Sequence, residues 1–141
     1  GTTSAYVAMP ISQRLLDTRP ATPVPPEGTI SVAVTGAAPL PAPGTVTAVV
    51  LNLTVTPPSG PGFWTVWPHA SPRPEASNLN IDENQFLAGN VTPNLVTVPV
   101  GSDGVVDIYS SGGGNVIVDL LGYYTPADAA TSGRSGPEPA R

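Results

Sequence analysis

The sequence predicts an all-β fold, an antiparallel β-sandwich of about eight strands with a jelly-roll or immunoglobulin-like topology. Short runs rich in Val, Thr and Leu recur along the 141 residues, and such residues favour strands. The 19 Pro and 15 Gly fall between these runs without a triplet period, which is typical of strands joined by turns. No run has the spacing of an amphipathic helix, so we expect none.

Three segments predict the strands of the first half. Residues 1–13 form an extended N-terminal arm or an edge strand, because Pro10 has no N–H to contribute to a ladder. Residues 28–35 alternate as a strand. Residues 45–56 contain no Gly, Pro or charge; they are apolar on one face and half apolar on the other, which is typical of a central strand. The apolar piece of the arm is Ala5, Tyr6, Val7, Ala8 and Met9.

Shorter apolar runs predict five further strands in the second half. Between them, residues 83–93 are expected to turn a corner without regular structure. Ser102, Asp103 and Gly104 form a strong turn signal, so the strands on either side of it are expected to pair as a hairpin. The five runs cover residues 63–67, 77–82, 94–100, 105–109 and 115–121.

The composition divides the chain into three parts. Residues 14–124 hold most of the apolar runs and form one domain long enough to bury its own core. Residues 1–13 precede the domain as the arm. Residues 125–141, TPADAATSGRSGPEPAR, are small, polar and rich in Pro and Gly, so we expect a flexible tail.

Charge and composition exclude several classes of partner. The net charge is −5, there is no Lys, and the five Arg are scattered, so nucleic acid is not expected to bind. Without Cys there are no disulfides or thiolate sites, and no apolar run is long enough for membrane insertion. A Lys-free chain rich in Thr, Pro and Gly that begins with Gly1 rather than Met fits a processed, extracellular product.

Four motifs occur in order along the domain: RLLDTR at 14–19, VVLNLTVT at 49–56, TVWP at 65–68 followed by SNLN at 77–80, and VDLLGYY at 118–124. Together they resemble a β-rich repeat module found in secreted and cell-surface proteins of actinobacteria and related bacteria. The resemblance covers about residues 14–124 and implies an extracellular location and a β-rich architecture. It implies no particular chemistry.

Few residues offer catalysis. His69 is the only histidine, it lies in a Pro-rich loop, and Ser71 two residues away does not make a triad, so we expect no enzyme and no cofactor. Asp107 and Asp119 lie inside apolar strands and could face each other as the paired carboxylates of a glycosidase. Because a buried carboxylate needs a partner, a structural role is the better interpretation.

A structural clamp is the interpretation we favour for the charged residues of the domain. The segment RLLDTR supplies two of its three arginines, and we predict that one of them pairs with the carboxylate of the last strand. Such a pair would hold the first segment against the last strand. The predicted clamp consists of Arg14, Asp17, Arg19, Asp119 and Asn52, the lone amide of the central strand.

Residues 78–84 carry a second polar pattern. Asn78, Asn80, Asp82 and Asn84 alternate, and oxygen ligands suit Ca²⁺. The Gly and Glu of an EF-hand loop are missing, and amides that bond to loop backbone explain the same residues, so no metal is expected.

Two functions remain open. The first is an extracellular structural or adhesive surface module that joins copies of itself or neighbouring surface subunits, by donating the arm to the next sheet and so building a filament; alternatively, the arm folds onto its own domain. The second is a carbohydrate-binding module, because two tryptophans three residues apart should face opposite sides of a strand and leave one exposed, unless both are core residues. Its candidate ligand-binding residues are Trp64, Trp67, Arg73, Asn78 and Asn80.

Overall fold

The computed structural model describes residues 4–89 and 91–126, and it shows an all-β architecture of eight strands with one short helix. The strands are divided between two four-stranded sheets, which face each other across a common core. Their bounds are β1 Ser4–Asp17, β2 Gly28–Ala33, β3 Ala48–Pro58, β4 Gly62–Pro68, β5 Leu79–Ile81, α1 Glu83–Ala88, β6 Thr92–Pro99, β7 Val105–Ser110 and β8 Gly114–Pro126.

The pairing of the strands gives a jelly roll. The chain folds into an antiparallel ribbon in which β1 pairs with β8, β2 with β7, β3 with β6 and β4 with β5. Two further antiparallel pairings, β3 with β8 and β4 with β7, close the ribbon into sheets. Sheet A has the order β1-β8-β3-β6 and sheet B the order β2-β7-β4-β5. This is the double-sheet arrangement of a jelly roll, and the predicted β-sandwich is confirmed.

The core lies between the inner faces of the two sheets. In β3, Val49, Leu51, Leu53 and Val55 are fully buried, and the residues between them lie on the outer face of sheet A. The same alternation buries the inner residues of β7 and β8. Because β3 has β8 on one side and β6 on the other, the prediction that it is a central strand is confirmed.

Helix α1 corrects the expectation that residues 83–93 lack regular structure. Asp82 is its N-cap and accepts a hydrogen bond from the Gln85 backbone N–H at 2.7 Å, while the Gln85 side chain accepts one from the Asp82 N–H at 2.9 Å. This reciprocal pair is a capping box, which satisfies two backbone donors at the start of a helix. Gly89 ends the helix in the left-handed conformation, with φ 68°. No residue of the helix is buried.

The turn at residues 102–104 is present, but the predicted hairpin is wrong. The strand before the turn, β6, pairs with β3 in sheet A, whereas the strand after it, β7, lies between β2 and β4 in sheet B. The turn therefore carries the chain from one sheet to the other. Gly104 is required there, because its φ is 67° and the Thr35 side chain fills the space that a Cβ would take.

Strand β1 is longer than the sequence indicated. It begins at Ser4 in the predicted arm and continues to Asp17, so the arm and the RLLDTR segment belong to one strand of the chain's own sheet. Strand β8 includes residues 125 and 126 of the predicted tail, and residues 127–141 lie outside the described residues. No helix within the described ranges is long and apolar enough to cross a membrane.

Candidate functional site

The seam between β1 and β8 has a break in its middle. Ser4–Ala8, which we call the leading half of β1, pairs with residues 122–126. Gln13–Asp17, the anchored half, pairs with residues 117–120. Between the pairs Ala8–Gly122 and Gln13–Leu120, β1 advances five residues while β8 advances two, so β1 has three extra residues. Residues 9–12, the hinge segment, therefore leave the regular ladder.

The leading half contributes little to the core. Of the arm residues, Ala5 and Met9 are half-buried, while Val7, Ala8 and Tyr6 are exposed, the last at 48%. The Tyr6 ring lies across Gly122, where a Cβ would collide with it, and its centroid is 5.1 Å from that of Tyr124. A cavity of about 390 Å³ opens beside the hinge segment, lined by Val7, Ala8, Met9, Pro10, Ile11, Gln13, Pro39 and Tyr123.

An ion-pair network fixes the anchored half. The Arg14 Nε donates to Asp119 Oδ1 at 2.7 Å, so Arg14 is the arginine that joins the first strand to the last. Arg14 Nη1 also lies 3.6 Å from Asp17 Oδ2. Arg19 forms a fork on Asp17, with Nε and Nη2 contacts of 2.9 and 2.7 Å, and these hydrogen bonds lower the pKa of Asp17 from 3.8 to about 2.

Asn52 is a neighbour of this network and not a bonded member of it. It lies opposite Asp119 in the β3–β8 register, but its amide donates to Thr54 Oγ1 at 3.3 Å. Asp119 and Asp107 also do not form a carboxylate pair. Each alternates with fully buried residues, so each faces outward from its own sheet, and the two sheets are different.

The two tryptophans do not form an exposed stacking surface. Trp64 is 1% exposed and belongs to the core, and Trp67, on the outer face of sheet B, is 6% exposed. Trp67 is covered because residues 69–78 cross this face as a loop. The loop is held by hydrogen bonds from Trp67 Nε1 to the Ser71 carbonyl at 3.0 Å and from Thr65 Oγ1 to the Ala76 carbonyl at 2.9 Å. Trp67 therefore anchors the loop.

Asn78 and Asn80 have different environments. Asn78 Oδ1 accepts the Val66 N–H at 2.8 Å, and its backbone carbonyl accepts the Asn94 amide, so it is bound to the sheet. Asn80 is exposed on β5, directly opposite Phe63 of β4. Asp82, the next polar residue of this pattern, caps α1. The side chains of Asn78, Asn80 and Asp82 therefore have three separate environments. Among the described residues, no group of three or more metal-ligating His, Cys, Asp or Glu side chains occurs.

Arg73 of the loop stacks on Tyr109, a ring that the sequence did not indicate as part of a site. The guanidinium carbon is 3.7 Å from the centroid of the Tyr109 ring. The Phe63 ring lies 5.7 Å from the same ring and is 37% exposed. Arg73, Tyr109, Phe63 and Asn80 thus form one continuous group on the outer face of sheet B, which we call the Arg73 face.

A second polar group lies beside it on β7. Asp107 is largely buried and accepts hydrogen bonds from Ser31 Oγ at 2.6 Å and from His69 Nδ1 at 2.8 Å. The hydrogen bond and the negative charge of Asp107 raise the pKa of His69 above 6.5. The hydroxyl of Ser31 donates to the carboxylate, so it is not activated by the imidazole as a nucleophile would be. The group orients His69 on the outer face of sheet B.

Comparison of the chain with known protein families, with characterised proteins and with solved structures gave no match. The resemblance of its four motifs to the bacterial surface repeat stays a prediction. Function is therefore inferred from the geometry of the chain itself.

Sequence reasoning placed Arg73 and Asn80 at the site but missed Phe63 and Tyr109. Strand alternation could have placed Tyr109 on the outer face, because it follows Asp107 by two residues and so lies on the same face of β7. Periodicity could not show that a loop covers Trp67 and leaves the smaller ring of Phe63 in solvent.

Proposed function

We propose that this protein is an extracellular structural surface module without catalytic activity, which joins copies of itself by exchanging the leading half of β1. The register break at residues 9–12 is the observation that carries the proposal. The break separates the leading half, which is held by pairing at the edge of sheet A, from the anchored half, which an ion-pair network holds in addition. Exchange would place Ser4–Ala8 of one copy on β8 of the next.

The contacts of the leading half favour its exchange between copies. The exchanged strand makes the same backbone bonds and the same Tyr6 contacts with Gly122 and Tyr124 in either copy, so the strand is held equally well before and after exchange. Release of the leading half uncovers little core, because Tyr6, Val7 and Ala8 are already exposed, and in the hinge segment only Met9 packs against the core. The vacated edge of β8, residues 122–126, then presents unpaired backbone groups that accept an added strand.

The clamp defines where the release stops. Arg14 binds Asp119, and Asp17 binds Arg19, within and just beyond the anchored half. Detaching this half would break the charge-assisted hydrogen bond from Arg14 to Asp119 and expose Leu15 and Leu16, which pack against the core. The exchangeable part therefore ends at residue 12. A strand passed on by each copy to the next gives a filament when the rotation between copies does not close.

The proposal is tested by light scattering on the full chain and on a chain that starts at residue 14. We expect the full chain to form assemblies larger than the 14.3 kDa monomer and the shortened chain to be monomeric, with the far-ultraviolet circular dichroism spectrum of a β-sheet protein and a cooperative thermal transition. A synthetic peptide of residues 1–13 should bind the shortened chain, and the same peptide with Tyr6→Ala should bind more weakly. A monomeric full chain, with no binding of the peptide, would overturn the proposal.

A further inference from the structure

The Arg73 guanidinium is the one described arginine without an acidic partner. Arg14 and Arg19 both bind carboxylates, whereas no carboxylate oxygen among the described residues lies within 4.0 Å of the guanidinium nitrogens of Arg73. Its aromatic contact is the Tyr109 ring, and the residue is otherwise exposed to solvent.

A stacked guanidinium is prepared for a planar anion. Its N–H groups form a rigid fork that matches the two oxygens of a carboxylate, and stacking reduces the side-chain entropy that binding would otherwise cost. Asp107 of β7 does not compete for the Arg73 guanidinium, because it is largely buried and accepts hydrogen bonds from Ser31 and His69. The fork therefore favours a carboxylate that belongs to a ligand.

The rest of the Arg73 face indicates what carries that carboxylate. Phe63 exposes a ring beside Tyr109, and Asn80 stands directly across from Phe63 on the next strand, within about 5 Å between Cβ atoms. An exposed ring packs against the apolar C–H face of a sugar, while an amide offers both a donor and an acceptor to hydroxyl groups. Charge, ring and amide lie on one open surface.

We propose that the Arg73 face binds a uronic acid unit of an acidic polysaccharide. Arg73 binds the carboxylate through its fork, Phe63 stacks on the sugar ring, and Asn80 binds a hydroxyl. The site lies on sheet B, whereas strand exchange takes place at the edge of sheet A, so an assembled filament would display one such site on every subunit.

Isothermal titration calorimetry with a short oligogalacturonate tests this site, because the carboxyl-reduced form of the same oligosaccharide is a neutral matched ligand. We expect the acidic form to bind at least about tenfold more tightly than the reduced form, since a charge-assisted bidentate contact is lost on reduction. Arg73→Gln should weaken binding of the acidic form by about tenfold, and Phe63→Ala should weaken it further.

Arg19→Gln is the matched control, because it removes the same charge from a position that follows β1 and lies outside the Arg73 face. It should leave the affinity unchanged. Equal binding of the acidic and reduced forms, or equal losses in the Arg73 and Arg19 variants, would overturn the proposal, because the attraction would then be unspecific. If acetate competed with the oligogalacturonate and the Phe63→Ala variant bound the oligogalacturonate normally, the site would recognise only a carboxylate. That result would overturn the assignment to a saccharide.

Discussion

The ion pair between Arg14 and Asp119 should make a measurable contribution to folding, and its size can be worked from the geometry. The two charged atoms are 2.7 Å apart, with 17% of the Asp119 side chain and 53% of the Arg14 side chain exposed. A fully exposed pair contributes about 0.2–1 kcal/mol, and a hydrogen bond to a charged group about 1.5–3 kcal/mol when it is desolvated. Since about half of the Arg14 side chain is in solvent, the contribution of this pair should lie near the top of the range for exposed pairs and below that of a desolvated hydrogen bond. Asp119→Asn should cost about 1 kcal/mol.

The order of the variants is a sharper prediction than the magnitude. Arg14→Gln leaves the Asp119 carboxylate mostly buried with its cation removed, so this variant should be less stable than the double variant Arg14→Gln/Asp119→Asn. The coupling energy of the cycle should be about 0.5–1 kcal/mol and should fall in 1 M salt. For a chain of this length, about 1 kcal/mol corresponds to a melting temperature about 3–5 °C lower.

Urea denaturation of the four proteins of the cycle measures these values. Glu75→Gln is the control, because Glu75 is an exposed loop acid for which the described residues show no ion pair, and its stability should be unchanged. A coupling energy indistinguishable from zero would refute the clamp. The same conclusion would follow if the double variant were less stable than Arg14→Gln.

Three further predictions concern the core, the helix and the histidine. Leu51→Ala should lower the free energy of unfolding by about 2–5 kcal/mol in urea denaturation, because Leu51 is fully buried; a loss below about 1 kcal/mol would contradict its place in the core. Asp82→Ala should cost about 1 kcal/mol through the lost capping box, whereas Asp82→Asn, which can still cap, should cost less, and equal losses would count against the cap. The hydrogen bond to Asp107 raises the pKa of His69, so its stabilising effect is fully present below about pH 6.5 and is lost as the pH rises through the higher folded pKa; melting temperatures between about pH 6 and 8.5 should decline in the native chain and decline less in His69→Gln.

The strands could be predicted from the sequence because alternation is a local signal. Val49, Leu51, Leu53 and Val55 are spaced two apart, and burial follows that spacing in the structure. Strand partners are not local. The turn at residues 102–104 has the sequence of a hairpin turn, yet it joins two sheets, because β6 and β7 find their partners far along the chain in β3 and in β2 and β4. Alternation alone could not choose between jelly-roll and immunoglobulin-like topologies.

Helix α1 has a local signal in the sequence, whereas the continuation of β1 through residues 14–17 is obscured by charges. Asp82 and Gln85 have the spacing of a capping box, which predicts a helix even without an apolar face. Arg14 and Asp17 interrupt the apolar pattern of β1 and so obscure the strand that continues through them. Charges of this kind are tolerated at a sheet edge when a partner such as Asp119 is opposite.

The sequence could indicate which residue types a binding site would use, but not which side chains are exposed together. Arg73 and Asn80 could be named, because a lone arginine and an amide near a strand suit a polar ligand. The rings could not be assigned, since the exposure of Phe63 and the burial of Trp67 depend on where the loop of residues 69–78 crosses the sheet. The path of the loop is set by hydrogen bonds that Thr65 and Trp67 donate to its carbonyl groups. These bonds produce no periodic pattern in the sequence.

Disulfide trapping between two single-cysteine variants tests strand exchange most directly, because the chain has no cysteine of its own. Ala5 lies opposite Thr125 in the β1–β8 register. When Ala5→Cys and Thr125→Cys chains are mixed and oxidised, exchange brings the two thiols of different copies together. We predict a disulfide-linked product containing one chain of each variant, and none when Thr125→Cys is replaced by Ser59→Cys, which lies in an exposed turn at the opposite end of sheet A. If the mixture yields no such product while the double variant Ala5→Cys/Thr125→Cys closes its disulfide within one chain, the leading half stays on its own sheet and the proposed exchange is wrong.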